Sequence, residues 1–328
     1  MICEFALEPA LVATWHDRKQ FLFFDEKFGI ATRRFNSAYP KLWKKLVWTA
    51  FEAGPARHGD LACQRMTEII QYLWQNAVRR PSTFPEIYDW LQRAEHEHGQ
   101  RPFRAIIALD NPRNQPFVIT AERLIQQGHE LWVVPEIETT PRTAQQIANA
   151  VSSLTRLCRQ LVIIDPYFDP SKARFTQTLC AVLGTCCDNI SGIGLVQVEL
   201  HTCIDRFFRS WEKGEKRNLA EESKAFADLS MKCQARLPHL LPSGMTLKVV
   251  VWKQQPKGEK LHNRYLLTDL FSVMFGTGVD QADDPAGQET DDITVLSEPQ
   301  HHTRRNQYTG ASPAFDLVGA PLIINGVG

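Results

Sequence analysis

The sequence has little of what would place it at once. No apolar run reaches bilayer length, so no helix read from it spans a membrane. Neither sign of charge is in excess: 37 Lys and Arg stand against 37 Asp and Glu. Whole-chain charge therefore names no partner, and a nucleic-acid binder of this composition has to gather its basic residues locally. Among eight cysteines there is no CxxC pair, and only Cys186 and Cys187 adjoin. That excludes a zinc site by spacing and argues against a disulfide framework in a chain of this length. The first residues lack a basic stretch and meet Glu4 and Glu8 early, unlike a secretory signal. No repeat or low-complexity tract is present. What these absences leave is a reduced, cytoplasmic, folded chain of 328 residues, enough for two domains.

Residues 1–140 read as helix-rich. Leu42, Leu46, Val47 and Phe51 recur at helical spacing. The same spacing recurs over 59–80, where Pro81 marks a stop, and 85–99 opens on proline and closes on glycine. A short hairpin is expected over 13–30. Three stretches, RAIIALD, ITAERLIQQG and HELWVVPE, predict a small strand–helix–strand unit. The polar, proline-bearing PEIETTPRTAQQ suggests a domain boundary, placed at 140/141. Beyond it, strands alternate with helices. Continuous apolar runs such as VVV and VII point to an α/β domain over 141–328 whose sheet is covered by helices on both faces. The acidic stretch 280–292 is expected to be a mobile loop.

One short stretch carries chemistry: KLHNRYLLTD, residues 260–269, followed by MFGTGVD. On a strand, His262 and Arg264 project from one side. An imidazole and a guanidinium together, with a glycine nearby at Gly276, suit a phosphate. His301, His302, Arg304 and Arg305 follow a predicted strand, and the two arginines are candidates for further phosphate contacts at the mouth of the same sheet; a solvated helix surface is the rival account. Glu95-His96-Glu97-His98 alternates on a helix, which sends the two imidazoles to different faces and argues for a polar helix end over a metal site. Asp165 and Asp169 stand in DP turns and are expected to cap chain reversals.

His262, Arg264 and Asp269 stand at the spacing of the HxKxxxxD signature, with arginine for lysine. Gly276 and Thr277 match the Gly and Ser of a following Gly-Ser-x-Asn turn, while Val279 takes the Asn position. With the upstream IIDPYFDP, the second half of the chain resembles the phospholipase D superfamily. It is most similar to the MIT_C subgroup, through His262-Asn263-Arg264 and Gly276-Thr277-Gly278-Val279-Asp280.

The resemblance implies a phospholipase-D-like domain with a mixed sheet. It also implies a phosphodiesterase or nuclease mechanism with no metal and no cofactor. A histidine attacks phosphorus to form a phosphohistidine, a second histidine protonates the leaving group, and an acid orients each one. His262 would then be nucleophile or acid, Arg264 the phosphate clamp, Asp269 the motif's acid and Thr277 a hydroxyl donor. Only one full motif is present, so a homodimer is implied, since a two-fold axis brings two His262 residues together. Nucleic acid is the implied partner, in a prokaryotic defence or mobile-element setting. A second reading makes the domain inactive, a binding or scaffold protein for anionic lipid, a protein partner or a larger complex. The plainest alternative is structural, with His262 bonded to Asp269 and Arg264 in a salt bridge.

Overall fold

The computed structural model describes residues 2–16, 24, 27–29, 31–54, 59–75, 77–80, 89–187, 197–205, 219–284 and 286–328. The expected hairpin over 13–30 lies largely outside the described residues. The chain divides into two compact units, one ending at Pro135 and the other beginning at Glu136. No helix among the described residues is long and apolar enough to cross a membrane.

The first unit is built on a parallel sheet. Its strands are β1 (Cys3–Leu7), β2 (Arg34–Ala38), β3 (Ala77–Arg79), β4 (Ala105–Ala108) and β5 (Val118–Thr120), in the order β3-β2-β1-β4-β5. Between them run α1 (Pro9–Ala13), α2 (Trp43–Glu52), α3 (Asp60–Gln75) and α4 (Trp90–Gln100), and α5 (Ala121–Gln127) follows the last. The helices follow the apolar spacing in the sequence: Val47 and Phe51 of α2, and Met66, Ile70 and Leu73 of α3, are buried against Phe5, Leu7 and Ile107 of the sheet. Four of the five strands escaped sequence reading; only RAIIALD, which became β4, was anticipated. β2 is the clearest case, because RFNSA places Asn36 and Ser37 in the core, fully buried, so no apolar pattern announces it.

HELWVVPE is not the expected strand. Glu130–Trp132 form a 3-10 turn whose carbonyls are taken by arginine side chains. Arg34 donates to the Trp132 carbonyl at 3.0 and 3.1 Å, and Arg104 donates to those of Leu131 and Val133. With its acceptors so engaged, the segment has no ladder to join.

One buried ion cluster ties this unit together. Arg80, just after β3, spends all five guanidinium N–H groups: two on Glu4 of β1, one on Glu97 of α4, and two on the carbonyls of Arg101 and Pro102. Its flat face lies 3.9 Å from the Phe103 ring centre. Glu97 belongs to the alternating Glu-His stretch, and the two histidines beside it part as the helix geometry requires: His98 stacks on Phe117, while His96 bonds Gln100.

The second unit holds β6 (Ile137–Pro141), α6 (Ala144–Thr155), β7 (Gln160–Ile164), α7 (Ala173–Cys187), β8 (Gln197–Cys203), α8 (Leu219–Arg236) and β9 (Thr246–Lys253). Then come β10 (Arg264–Thr268), β11 (Ser272–Phe275), β12 (Thr290–Val295), α9 (Glu298–Thr309), β13 (Asp316–Leu317) and β14 (Leu322–Asn325). Their sheet is mixed, in the order β13-β9-β8-β7-β10-β11-β12-β6, with β14 also on β9. Strands β7, β8 and β9 are parallel; from β7 outward to β6 every pairing is antiparallel. The continuous apolar runs are accounted for by burial on both faces. Val162 and Ile164 join Tyr265, Leu267 and Tyr308 under α9, while Leu161 and Ile163, pointing the other way, are equally buried. The polar stretch that suggested a boundary contains β6, an edge strand on β12 from Ile137 to Pro141.

The acidic stretch 280–292 is not loose. Asp280 pairs with Arg142 and Arg174, Glu289 with Arg142, and β12 begins within it. Helix α9 is docked by a buried bond of 2.7 Å between His301 Nδ1 and Ser272 Oγ. A capping box at Ser297 and Gln300 starts this helix.

Two outcomes are expected from these contacts. Arg80→Met leaves Glu4 and Glu97 as buried carboxylates without their cation, and should lower unfolding stability by about 3–5 kcal/mol in urea titrations. The His301 imidazole is held at about 4, below its ordinary value, by burial and then by the nearby Arg305 charge. The unfolded chain therefore binds a proton at higher pH than the folded chain. Stability is full above about pH 6.5, falls on acidification through that value, and levels off below about 4, a loss of about 2–3 kcal/mol. His301→Asn should flatten that part of a pH–stability curve.

Candidate functional site

In open α/β sheets, ligands bind beyond the carboxyl ends of parallel strands. In the second unit that edge collects the ends of β7, β8, β9 and β11 and, because β10 runs the other way, the start of β10. His262 and Arg264 lie there. The register pairing Arg264 with Phe275 carries Gly276 and Thr277 to the same end.

Arg264 is partly buried, and its guanidinium lies 4.4 Å from the ring centre of Tyr167, in the turn after β7. Its Nε is buried without a hydrogen-bond partner. Among the described residues Arg264 makes no ion pair, whereas the buried or half-buried Arg80, Arg142 and Arg174 all face carboxylates. The salt bridge expected of a structural Arg264 is therefore not what holds it; an aromatic face is. His262 is exposed and lies outside the strand, in the irregular segment just before β10, so the expected placement of both residues on one strand holds for Arg264 alone. Its neighbour Asn263 is turned to the Tyr265 hydroxyl, at 3.0 Å.

Asp269 is not brought to this edge. It follows β10, so the strand's whole length separates it from His262, roughly 20 Å at about 3.3 Å per residue. Its Oδ1 accepts the backbone N–H groups of Arg159 and Gln160, at 2.9 and 3.1 Å, and pins the entry to β7. It does not orient His262.

Gly276 and Thr277 reach the edge, with their backbones already engaged. Gly276 N–H donates to the Asp292 carbonyl at 3.3 Å. Thr277 N–H donates to Asp291 Oδ1 at 2.8 Å, and a Cβ on Gly276 would meet that same oxygen at 2.8 Å. The glycine is needed for the approach of a carboxylate, and the exposed Thr277 hydroxyl is what remains for a ligand. Asp291 itself is buried, with Oδ2 unpartnered. Val279, at the position of the family's asparagine, is buried too.

The two arginines of α9 part company. Arg304 pairs with Glu259 at 3.1 Å and bonds Gln307 at 2.8 Å. Arg305 donates to the Thr268 carbonyl and to Gln160 Oε1, at the opposite end of β10 from His262. Arg305 is thus not gathered around His262, whereas Arg304 lies 5.5 Å from the ring centre of Tyr265, near the start of β10. Asp165 and Asp169 each accept the N–H two residues on, at 2.9 Å, and so serve as turn caps. Tyr167 was missed as a site residue, although the DPY turn that carries it was on view in the sequence.

No family model matches the chain, and no curated protein matches it. Among solved structures it is similar to Nuc, a phospholipase D family member from Salmonella typhimurium, at 7% identity over 57% of this chain and all of that one, with a TM-score of 0.31. It is similar to TrmBL2, an archaeal chromatin protein, at 7% identity over 85% and 83% of the two chains and a TM-score of 0.27. Polyphosphate kinase from Porphyromonas gingivalis gives 10% identity over 74% of this chain, about a third (32%) of that one, and a TM-score of 0.26. Likenesses this distant leave the site to its own geometry.

The close approach of Gly276 to Asp291 has a measurable consequence. Gly276→Ala should cost about 1–3 kcal/mol in chemical denaturation by overpacking. Adding Asp291→Ala should recover part of that loss, because the clash partner is gone; strictly additive losses would show that the two do not meet.

Proposed function

We propose that this sheet edge is a phosphodiester-binding site for nucleic acid, of phospholipase-D-like type. The observation that carries the reading is Arg264: a half-buried guanidinium with no carboxylate partner among the described residues, lying over the Tyr167 ring, with an exposed histidine two residues before it. A planar, permanently charged fork suits two phosphate oxygens. Partial burial strengthens its attraction for an anion, because the local dielectric is low. His262 adds an imidazole whose N–H can donate to a phosphate oxygen, and Thr277 a hydroxyl. Tyr167 is 42% exposed. An exposed aromatic beside a phosphate clamp is a stacking surface for a base, which favours a nucleic acid over a lipid headgroup.

The reading is one of binding first. In a phosphohistidine reaction a His262 nitrogen would bond to phosphorus as the P–O bond to the leaving alcohol breaks. An acid would protonate that alcohol, and water would then release the phosphate. Asp269 is unavailable to orient His262, and Arg264 holds oxygens differently from a lysine ammonium. Hydrolysis would need a second His262 as the acid, and a two-fold dimer is the arrangement that supplies it.

Fluorescence anisotropy with labelled single-stranded DNA and RNA in EDTA tests the proposal. The full chain should bind, more weakly as salt rises. Arg264→Met should weaken binding about tenfold or more, near 1.4 kcal/mol, and His262→Ala should weaken it less. Equal binding by wild type and Arg264→Met would sink the proposal. Arg264-dependent capture by anionic vesicles, with none by nucleic acid, would replace it with the lipid reading. Chelator-resistant cleavage that His262→Ala abolishes would add catalysis.

A further inference from the structure

A second concavity lies on the same unit, on the face of the sheet beneath α9. Alternate residues of three neighbouring strands make its floor: Gln160 and Val162 of β7, Gln197 and Glu199 of β8, Lys248 and Val250 of β9. The register sets Glu199 beside Val162 on one side and Lys248 on the other. Arg305, Tyr308 and Thr309 close it from α9, and Trp252, Leu317 and Pro321 form the far wall. It is a half-open cleft of about 390 Å³, within the range of small-molecule sites.

Its polar groups are held in fixed positions. Trp252 Nε1–H donates to His201 Nδ1 at 2.9 Å, so Nε2 carries the hydrogen that His201 gives to Glu199 Oε2, at 2.7 Å. Glu199 Oε1 accepts from Lys248 Nζ at 3.1 Å and from Gln197. His201 and Lys248 together hold the buried Glu199 carboxyl down at about 2. Both imidazole nitrogens are thus spent inside the wall, and His201 positions its neighbours without facing a ligand. The Lys248 side chain, 38% exposed, gives one N–H to Glu199 and has two more. Counting Lys248 and Arg305 against Glu199, the wall carries one net positive charge. That charge lies toward the two glutamines, and the aromatic and aliphatic groups lie at the other end.

We infer that this cavity binds a small organic anion, with a carboxylate or phosphate head at Lys248 and Arg305 and a planar body against Trp252 and Tyr308. The site is separate from the His262 edge, since Arg305 bonds Thr268 at the far end of β10. A purely structural network would need neither the cleft beside it nor the surplus cation.

Isothermal titration of the full chain with AMP and 4-hydroxybenzoate, against adenosine and phenol as their uncharged counterparts, tests the inference. At least one anion should bind ten or more times tighter than its uncharged partner, and which one does so identifies the head group. Lys248→Met and Thr309→Trp should each weaken that binding at least tenfold, the second by filling the mouth while leaving the charges in place. Any AMP heat that Arg264→Met removes belongs to the His262 edge; the heat that Thr309→Trp removes should survive in Arg264→Met. If Lys248→Met fails to fold, Thr309→Trp decides. No heat from either anion up to about 10 mM, equal binding of the uncharged partners, or binding that follows Arg264 rather than Thr309 would each overturn the inference.

Discussion

A strand buried on both faces is a rigid spacer, and β10 governs what the second unit can bring together. It lies between β7 and β11, antiparallel to both, with Leu266 packed into one face of the sheet and Tyr265 and Leu267 into the other. Nothing in it can bend toward either end. The residues just before it and just after it therefore belong to different edges of the sheet and cannot meet at one phosphate. His262 and Arg264 are assigned to the edge where the parallel strands finish. Asp269 goes to the edge where they begin, and Arg305 joins it there by reaching the Thr268 carbonyl.

That constraint was legible in the sequence before any coordinates. Five strand residues between His262 and Asp269 already imply a long separation. The motif spacing invited a different reading, in which an acid and a histidine of one signature must touch. The order of strands and helices in the second unit was largely readable because its apolar runs are long and its helices amphipathic. The first unit was harder. Buried Asn36 and Ser37 erase the pattern of β2, and the three residues of β3 are too few to show one. HELWVVPE has a strand's composition, and its fate was decided by Arg34 and Arg104, both remote in sequence.

At the candidate site, the residue types were visible and their neighbours were not. His262, Arg264 and Thr277 could be picked out by type and spacing. That Arg264 would rest on an aromatic ring and not on a carboxylate depends on how the turn after β7 meets the start of β10, which no local pattern encodes. The same holds for Gly276, whose lack of a side chain makes room for Asp291 from the adjacent strand. The cluster at Glu199, His201 and Lys248 gave no signal either, since it arises from the lateral register of strands far apart in the chain.

The five-donor cluster at Arg80 also bears on how the first unit comes to be. Glu4, Arg80 and Glu97 are contributed by segments spread over nearly a hundred residues. Until all three have arrived, any partial collapse that dries one of them leaves a charge stripped of water without its full set of partners. Mispaired arrangements of these strands and this helix are thereby penalised while they form, and the correct one is rewarded only when it closes. Order of assembly is built into the interior as an electrostatic condition, at the cost of slower closure over a long loop.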